Sequence, residues 1–168
     1  MQVLGIDPGS GGGLGWAVMQ YFYGSQPKLD SSGVSRVDLP KKSRDKTALW
    51  LELQYILRVA DVYGVDLVAY EQVVRHSSVY AAHLYGGQVA IIQLLCAAHS
   101  VPFMPVPVQT VKKVLGCRAA GKDKEKAMVA AAHKLGYTGV TDHNEADAIG
   151  VALGAIQKWT EGKKESSP

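Results

Sequence analysis

The chain has 168 residues, 47% of them hydrophobic and 8% aromatic, which suits one domain with its own core and excludes a disordered protein. Its formal net charge of +3 is compatible with nucleic-acid binding but too small to indicate it alone. Cys96 and Cys117 lie far apart without a CxxC motif, which argues against a disulfide framework or a zinc site and favours a reducing, cytoplasmic setting. We expect no secretion signal, and no apolar run long enough to cross a membrane.

Three strands are predicted near the N-terminus. Residues 2–7 end at Pro8-Gly9, residues 14–20 follow a glycine turn, and residues 34–39 alternate apolar and polar side chains. Residues 21–32, rich in Gly, Ser, Pro and Asp, are predicted to be a hairpin loop. Sequential strands with short connections favour an antiparallel meander.

Helices and strands alternate in the rest of the chain. We expect strands at 66–71 and 101–106, and helices at 46–63, 80–99, 108–115, 123–135 and 143–159. The predicted class is α/β, with one mixed five-stranded sheet, three antiparallel strands and then parallel strands, flanked by helices. One domain would span residues 2–160, and residues 161–168 would form a flexible tail.

The helix predicted at 80–99 is apolar on more than one face. One face can pack on the sheet, and the remainder is either core or a two-fold interface between two copies of the chain. Gly86 and Gly87 would allow close approach of a neighbouring helix.

Three acidic residues each close or border a largely apolar element. Asp7 and Glu71 end predicted strands, and Asp147 lies at the margin of the buried stripe of the last helix. An unpaired charge is costly in such places, so three converging carboxylates would need cations. Hard ions such as Mg²⁺ prefer oxygen ligands, and a pair of them can support hydrolysis of a phosphodiester.

Each acid has an ordinary explanation when it is taken alone. An Asp before Pro-Gly is more often a turn residue, a strand-end Glu is more often solvated or paired, and an Asp in the first turns of a helix is favoured by the helix dipole. The combination, in this order and on these elements, favours a catalytic metal site.

The chain resembles the RuvC-type Holliday-junction resolvases of the RNase H-like superfamily. The similarity covers roughly residues 2–157 and rests on Gly5-Ile6-Asp7-Pro8-Gly9, Glu71-Gln72-Val73, Pro107-Val108-Gln109-Thr110-Val111-Lys112 and Ala146-Asp147-Ala148-Ile149. The resemblance implies a homodimer that nicks two opposing strands of a four-way DNA junction with Mg²⁺ or Mn²⁺, two ions per site, held by Asp7, Glu71 and Asp147. A phage or prophage origin would fit the same resemblance.

The chain departs from the family pattern at the fourth acidic position, where it has Asn144. An amide oxygen can bind Mg²⁺ but brings no charge, so we favour Asn144 as a ligand and keep His143 and Glu145 as alternatives. His143 lies on the same helical face as Asp147, whereas Glu145 points about 200° around the helix. A second departure is the absence of an aromatic residue directly after Glu71-Gln72-Val73, which leaves Tyr80, Tyr85 or no residue as a junction wedge.

Basic residues crowd into a glycine-containing stretch and are predicted to contact the DNA backbone, although a merely solvated surface is the alternative. They are Lys112, Lys113, Arg118, Lys122, Lys124 and Lys126, with Lys126 expected to face the site. Arg75 and His76 form a second candidate phosphate-contact loop.

Other functions are compatible with parts of the pattern. The substrate could be another branched DNA or an RNA–DNA hybrid, and a junction-binding protein that has lost catalysis would also tolerate Asn144. An actin-like ATPase also begins with a Gly-Ile-Asp strand but needs a second homologous half, for which this chain is too short.

Overall fold

A computed structural model describes residues 1–9, 13–36, 47–118 and 123–165. Its strands are β1 (Gln2–Asp7), β2 (Leu14–Gln20), β3 (Lys28–Ser35), β4 (Leu67–Gln72) and β5 (Phe103–Pro107). Its helices are α1 (Thr47–Val62), α2 (Val79–Ala98), α3 (Val108–Leu115), α4 (Lys124–Lys134) and α5 (His143–Glu165). The five strands form one sheet in the order β3-β2-β1-β4-β5.

The sheet is antiparallel on one side of β1 and parallel on the other. β1 pairs antiparallel with β2, which pairs antiparallel with β3. β4 pairs parallel with both β1 and β5. This arrangement confirms the predicted α/β class and the predicted meander followed by parallel strands.

Helices cover both faces of the sheet, and alternation along β1 assigns its residues to them. Leu4 and Ile6 belong to the core under α1 and α2. Val3 belongs to the opposite core, beneath α3, α4 and α5. Gly5 faces that same side, because a side chain there would meet α5. Asp7, two residues further along, therefore points to the α5 face.

Three predicted boundaries were wrong. β3 begins at Lys28, within the predicted loop, because residues 28–33 pair with β2 despite their weak strand propensity. Residues 37–39 of that predicted strand lie outside the described residues. β5 begins at Phe103 rather than 101, and its prolines are tolerated because it is an edge strand. α5 continues to Glu165 instead of ending near Trp159, so residues 161–165 of the predicted tail are helical.

α2 corrects the expectation that no apolar run could span a membrane. This 20-residue helix is long and apolar enough by length and composition, with a mean hydropathy of 1.3 over its most apolar window. A core helix of a soluble protein meets the same criterion. Its inner face packs against the molecule through Leu84, Gln88 and Ile92. Gly87 has no side chain, so the Trp50 ring of α1 packs directly against the backbone of α2. This contact is the close helix approach that was predicted for Gly86 and Gly87.

Candidate active site

The ends of β1 and β4 bring the first two predicted acids side by side. The parallel register pairs Ile6 with Tyr70, so Asp7 and Glu71 are the next residues on adjacent strands. Leu67 and Ala69 belong to the core beneath α5, so alternation places Glu71 on that face as well. Both carboxylates therefore lie at one edge of the sheet, on the side covered by α5.

The third acid arrives on α5, which lies unusually close to the sheet. A Cβ added to Gly5 would stand 2.3 Å from the backbone oxygen of Ala148, and one added to Gly15 would stand 2.0 Å from the backbone oxygen of Asn144. These glycines let the backbone of α5 rest directly on β1 and β2. The first turns of α5 thereby carry Asp147 to the carboxylates at the strand ends.

All three carboxylates are buried, with exposed fractions of 6% for Asp7, 7% for Glu71 and 3% for Asp147. Burial is the main cause that raises the pKa of each side chain. The pKa of Asp7 is raised further by the charges of Glu71 and Asp147. The pKa of Glu71 rises to about 7, through burial and the charge of Asp147. The three acids therefore repel one another in a site that water barely reaches.

Two lysines partly balance this negative charge. Lys124, at the start of α4, places its Nζ 3.5 Å from Asp147 Oδ2. Burial alone would lower the pKa of Lys124, but attraction to Asp147, Glu71 and Asp7 raises it. Lys112, on α3, is close enough that its charge lowers the pKa of Glu71 and of Asp147. The α5 face thus combines three acids with two bases.

The donor set fits a divalent cation. Glu71 Oε1 is buried and has no hydrogen-bond partner, and a buried carboxylate oxygen without such a partner is costly unless a cation binds it. In the described part of the chain, no three His, Cys, Asp or Glu side chains are gathered closely enough to hold one ion as they stand. Binding would therefore draw these carboxylates together, or share them between ions, which hard oxygen ligands allow.

The three candidates for the fourth ligand lie in the first turn of α5, and their side chains have different surroundings. Asn144 lies against the turn after β1, where its side chain is near Gly9 and Gly13. The charge of His143 lowers the pKa of Asp147, so its ring is near the site. Glu145 instead accepts a 2.6 Å hydrogen bond from the Ser32 hydroxyl of β3 and lines a surface cavity of about 690 Å³. Glu145 is therefore turned away from the carboxylates.

A tyrosine on α2 fixes the strand end that carries Glu71. The Tyr85 hydroxyl donates to the backbone oxygen of Glu71 at 3.0 Å and accepts from the Val73 backbone N–H at 3.1 Å. Its ring also lies 4.9 Å from the His76 ring. The Tyr85 hydroxyl is thus bonded within the fold, and a wedge role for Tyr80 or Tyr85 stays a prediction. Arg75, in the same loop, is exposed.

The remaining predicted DNA contacts are distributed over the surface. Lys113, Arg118 and Lys126 are exposed, and Lys122 lies outside the described residues. The prediction that Lys126 faces the site was wrong, because the lysine paired with Asp147 is Lys124. Sequence reasoning missed a further acid, Asp142, whose charge raises the pKa of Asp7. Its position directly before α5 was the available signal.

Comparison with known proteins agrees with this fold. The family model for the crossover junction endodeoxyribonuclease RuvC matches residues 3–155. A RuvC of Trichlorobacter lovleyi is 32% identical over 161 residues, which cover 95% of this chain and 86% of that protein. The chain belongs to the RuvC family of crossover junction endodeoxyribonucleases, which are metal-dependent nucleases.

Solved structures show the same fold at low identity. The RuvC of T. thermophilus in complex with a Holliday junction substrate matches with a TM-score of 0.76 and 20% identity, over 96% of this chain and 97% of that one. A yeast mitochondrial Holliday junction resolvase matches with a TM-score of 0.62 and 13% identity, over 98% and 80%. The Fowlpox virus resolvase, solved with Holliday junction DNA, matches with a TM-score of 0.56 and 15% identity, over 95% of this chain and 99% of that one.

Proposed function

We propose that this protein resolves four-way DNA junctions by paired, Mg²⁺-dependent hydrolysis of phosphodiesters, with Mn²⁺ able to substitute. Asp7, Glu71 and Asp147 are the proposed catalytic carboxylates, and Asn144 completes the set that binds two ions. One observation carries this proposal: three buried carboxylates share one face of a RuvC-family sheet, and Glu71 Oε1 there lacks any partner. His143 is the alternative ligand, because it lies near Asp147.

The residues of the site have separable roles. Mg²⁺ supplies activation of a water molecule and stabilisation of the leaving 3′ oxygen when it is bound. Asp7 and Glu71 hold their oxygens in place because both are the last buried residues of paired strands. Lys124, whose Nζ lies 3.5 Å from Asp147 Oδ2, would place a positive charge beside a phosphate bound at the site. Lys112 adds a second positive charge beside the scissile phosphate.

Contacts to the rest of the DNA fall to the exposed basic residues. We assign backbone contacts to Lys113, Arg118 and Lys126, and to the loop with Arg75 and His76; Lys122 stays a prediction. Neutralising phosphates releases counterions, so junction affinity should fall steeply with salt.

A homodimer is proposed from the outer stripe of α2. This outer stripe is the exposed line opposite the buried face of the helix, and it consists of Val79, His83, Gly86, Ala90, Leu94 and Ala97. Leu94 is 68% exposed and Val79 is 73% exposed, and Gly86 has open space where a Cβ would stand. A two-fold contact would bury this mostly apolar stripe and give each junction two active sites. A partner chain explains the exposed apolar surface without a membrane, and we place the protein in the cytoplasm.

The substrate is tested by comparing cleavage of a four-way junction, a flap, a replication fork and an RNA–DNA hybrid, with Asp7→Asn as the control. We expect the four-way junction to be cut fastest by the wild-type protein, with symmetric nicks, and no substrate to be cut by Asp7→Asn. Preferential cutting of another substrate would contradict the assignment of the four-way junction as substrate, but the assignment of nuclease activity would stand. Binding without nicks in either Mg²⁺ or Mn²⁺ would favour a catalytically weakened junction-binding protein, the reading that Asn144 permits.

A further inference from the structure

Asp142 caps the helix that carries the last carboxylate of the site. Its Oδ1 accepts the backbone N–H of Asn144 at 2.8 Å and the side-chain Nδ2 of Asn144 at 3.0 Å. Its backbone oxygen accepts the N–H of Ala146 at 3.1 Å. The aspartate is therefore bound to the main chain and to the side chain of the residue that stands in the family's fourth acidic position.

This contact fixes which end of the Asn144 amide faces Asp142. A carboxylate only accepts hydrogen bonds, so the NH₂ group must face Asp142 and the carbonyl oxygen must point elsewhere. Asn144 Oδ1 lies 3.5 Å from the point where a Cβ on Gly9 would stand, and Gly9 is in the turn directly after Asp7. The amide thus presents its oxygen, the atom that can bind a metal ion, towards the end of β1.

Asp142 also brings the charge that Asn144 lacks. Asp142 Oδ1 lies 3.0 Å from Asn144 Nδ2, so the carboxylate stands directly beside the side chain that carries the proposed ligand oxygen. A hydrogen bond from an amide to a carboxylate also polarises the amide and makes its oxygen a better ligand.

We propose that Asp142 is a positioning residue that makes Asn144 an effective metal ligand. Asp142 also supplies the negative charge of the missing fourth acid, at the distance of one hydrogen bond from Asn144. The proposal rests on the proposed function, because it concerns the same metal site. The unpartnered oxygen of Glu71 at that site independently indicates that a cation belongs there. Residues that hold a ligand in this way typically change metal affinity by roughly 10- to 100-fold.

The test is a calorimetric titration of the full-length protein with Mn²⁺, without DNA. Asp142→Asn keeps the size and the helix-capping ability of the side chain and removes its charge. We expect the Mn²⁺ dissociation constant to rise at least about tenfold, while Tm stays within about 2 °C of the wild type. The double variant Asp142→Asn with Asn144→Asp should recover most of the lost affinity, because the charge then sits on the ligand itself.

Arg36→Gln is the matched control. Arg36 is paired with Oδ2 of Asp142 and its side chain is 67% exposed, so this change removes the ion pair and leaves the acid. Mn²⁺ affinity should then be unchanged or rise slightly. The proposal is overturned if Asp142→Asn binds Mn²⁺ as the wild type does, if it lowers only Tm, or if Arg36→Gln weakens binding equally. Metal binding is read without DNA, so a failure of junction cleavage in the wild type would count against the proposed function alone.

Discussion

The two faces of the sheet are built on different principles. On the α5 face, glycines replace side chains so that a helix backbone touches the strands, and three carboxylates are buried at the contact. On the α1 and α2 face, large apolar side chains such as Leu4, Ile6 and Ile92 fill the core, and α2 exposes a further apolar line to the outside.

The difference indicates that the two faces of the sheet have different roles. Close backbone contact leaves little freedom for displacement, so Asp7, Glu71 and Asp147 are held by main chain rather than by flexible side-chain packing. The α2 side instead exposes apolar surface on its outer stripe. The proposed chemistry therefore lies on the α5 face, and the proposed self-association lies on the other.

The largest effect should come from filling the contact between β1 and α5. Gly5→Val places side-chain atoms against the backbone of Ala148 and Ala152, which cannot move without shifting the helix. We expect a loss of about 3 kcal/mol in the free energy of unfolding, measured with urea. Cleavage should fall about 100-fold in any folded fraction, because Asp147 moves with α5.

The control for this change is Gly162→Ala, at a site on the same helix with open space around it. Its free energy of unfolding should stay within about 0.5 kcal/mol of the wild type. If Gly5→Val were as stable and as active as Gly162→Ala, the close contact would not position the site.

A smaller effect is the pH dependence of stability that Glu71 causes. Its pKa is raised from 4.5 when unfolded to about 7 when folded, so the native state holds the proton more tightly. This contribution is fully present below pH 4.5 and is lost as pH rises to 7. Without divalent metal, the wild type should lose about 2 kcal/mol more than Glu71→Gln between pH 5 and pH 8. Urea unfolding at both pH values measures this, and parallel losses in the two proteins would refute the assignment.

The smallest effect on the fold concerns the outer stripe of α2. Leu94→Glu should weaken self-association at least about tenfold, since it puts a charge into an apolar contact, and should leave monomer stability within about 0.5 kcal/mol. Sedimentation velocity measures the change, and Leu135→Glu, at another exposed leucine on α4's end, is the matched control. If the two variants self-associated equally, the outer stripe would not be part of the dimer interface.

Much of the site followed from the sequence because strand ends in a parallel pair meet. Asp7 and Glu71 were placed by the ends of two apolar runs, and the register Ile6–Tyr70 brings them together. Helical spacing likewise predicted that His143 lies on the same face of α5 as Asp147 and that Glu145 does not. The hydrogen bond between Glu145 and Ser32 agrees with this prediction.

The rest depended on tertiary contacts that local pattern does not contain. β3 begins at Lys28 because β2 offers it a partner, not because of its own composition. Lys124 and Lys126 are alike in sequence terms, and only the approach of α4 to α5 decides that Lys124 meets Asp147. Asp142 could be seen as a helix cap, but its orientation of Asn144 required the geometry of the first turn.

The most direct test of the proposed role of the buried carboxylates measures binding and cleavage of one four-way junction by the wild type and by Glu71→Gln in Mg²⁺. Glu71 has the buried oxygen that lacks a partner, so its loss should remove catalysis and spare the DNA surface. We predict that junction affinity stays within about threefold, while the single-turnover cleavage rate falls at least about 1000-fold. Cleavage within about tenfold of the wild-type rate would contradict the claim that these buried carboxylates carry the reaction.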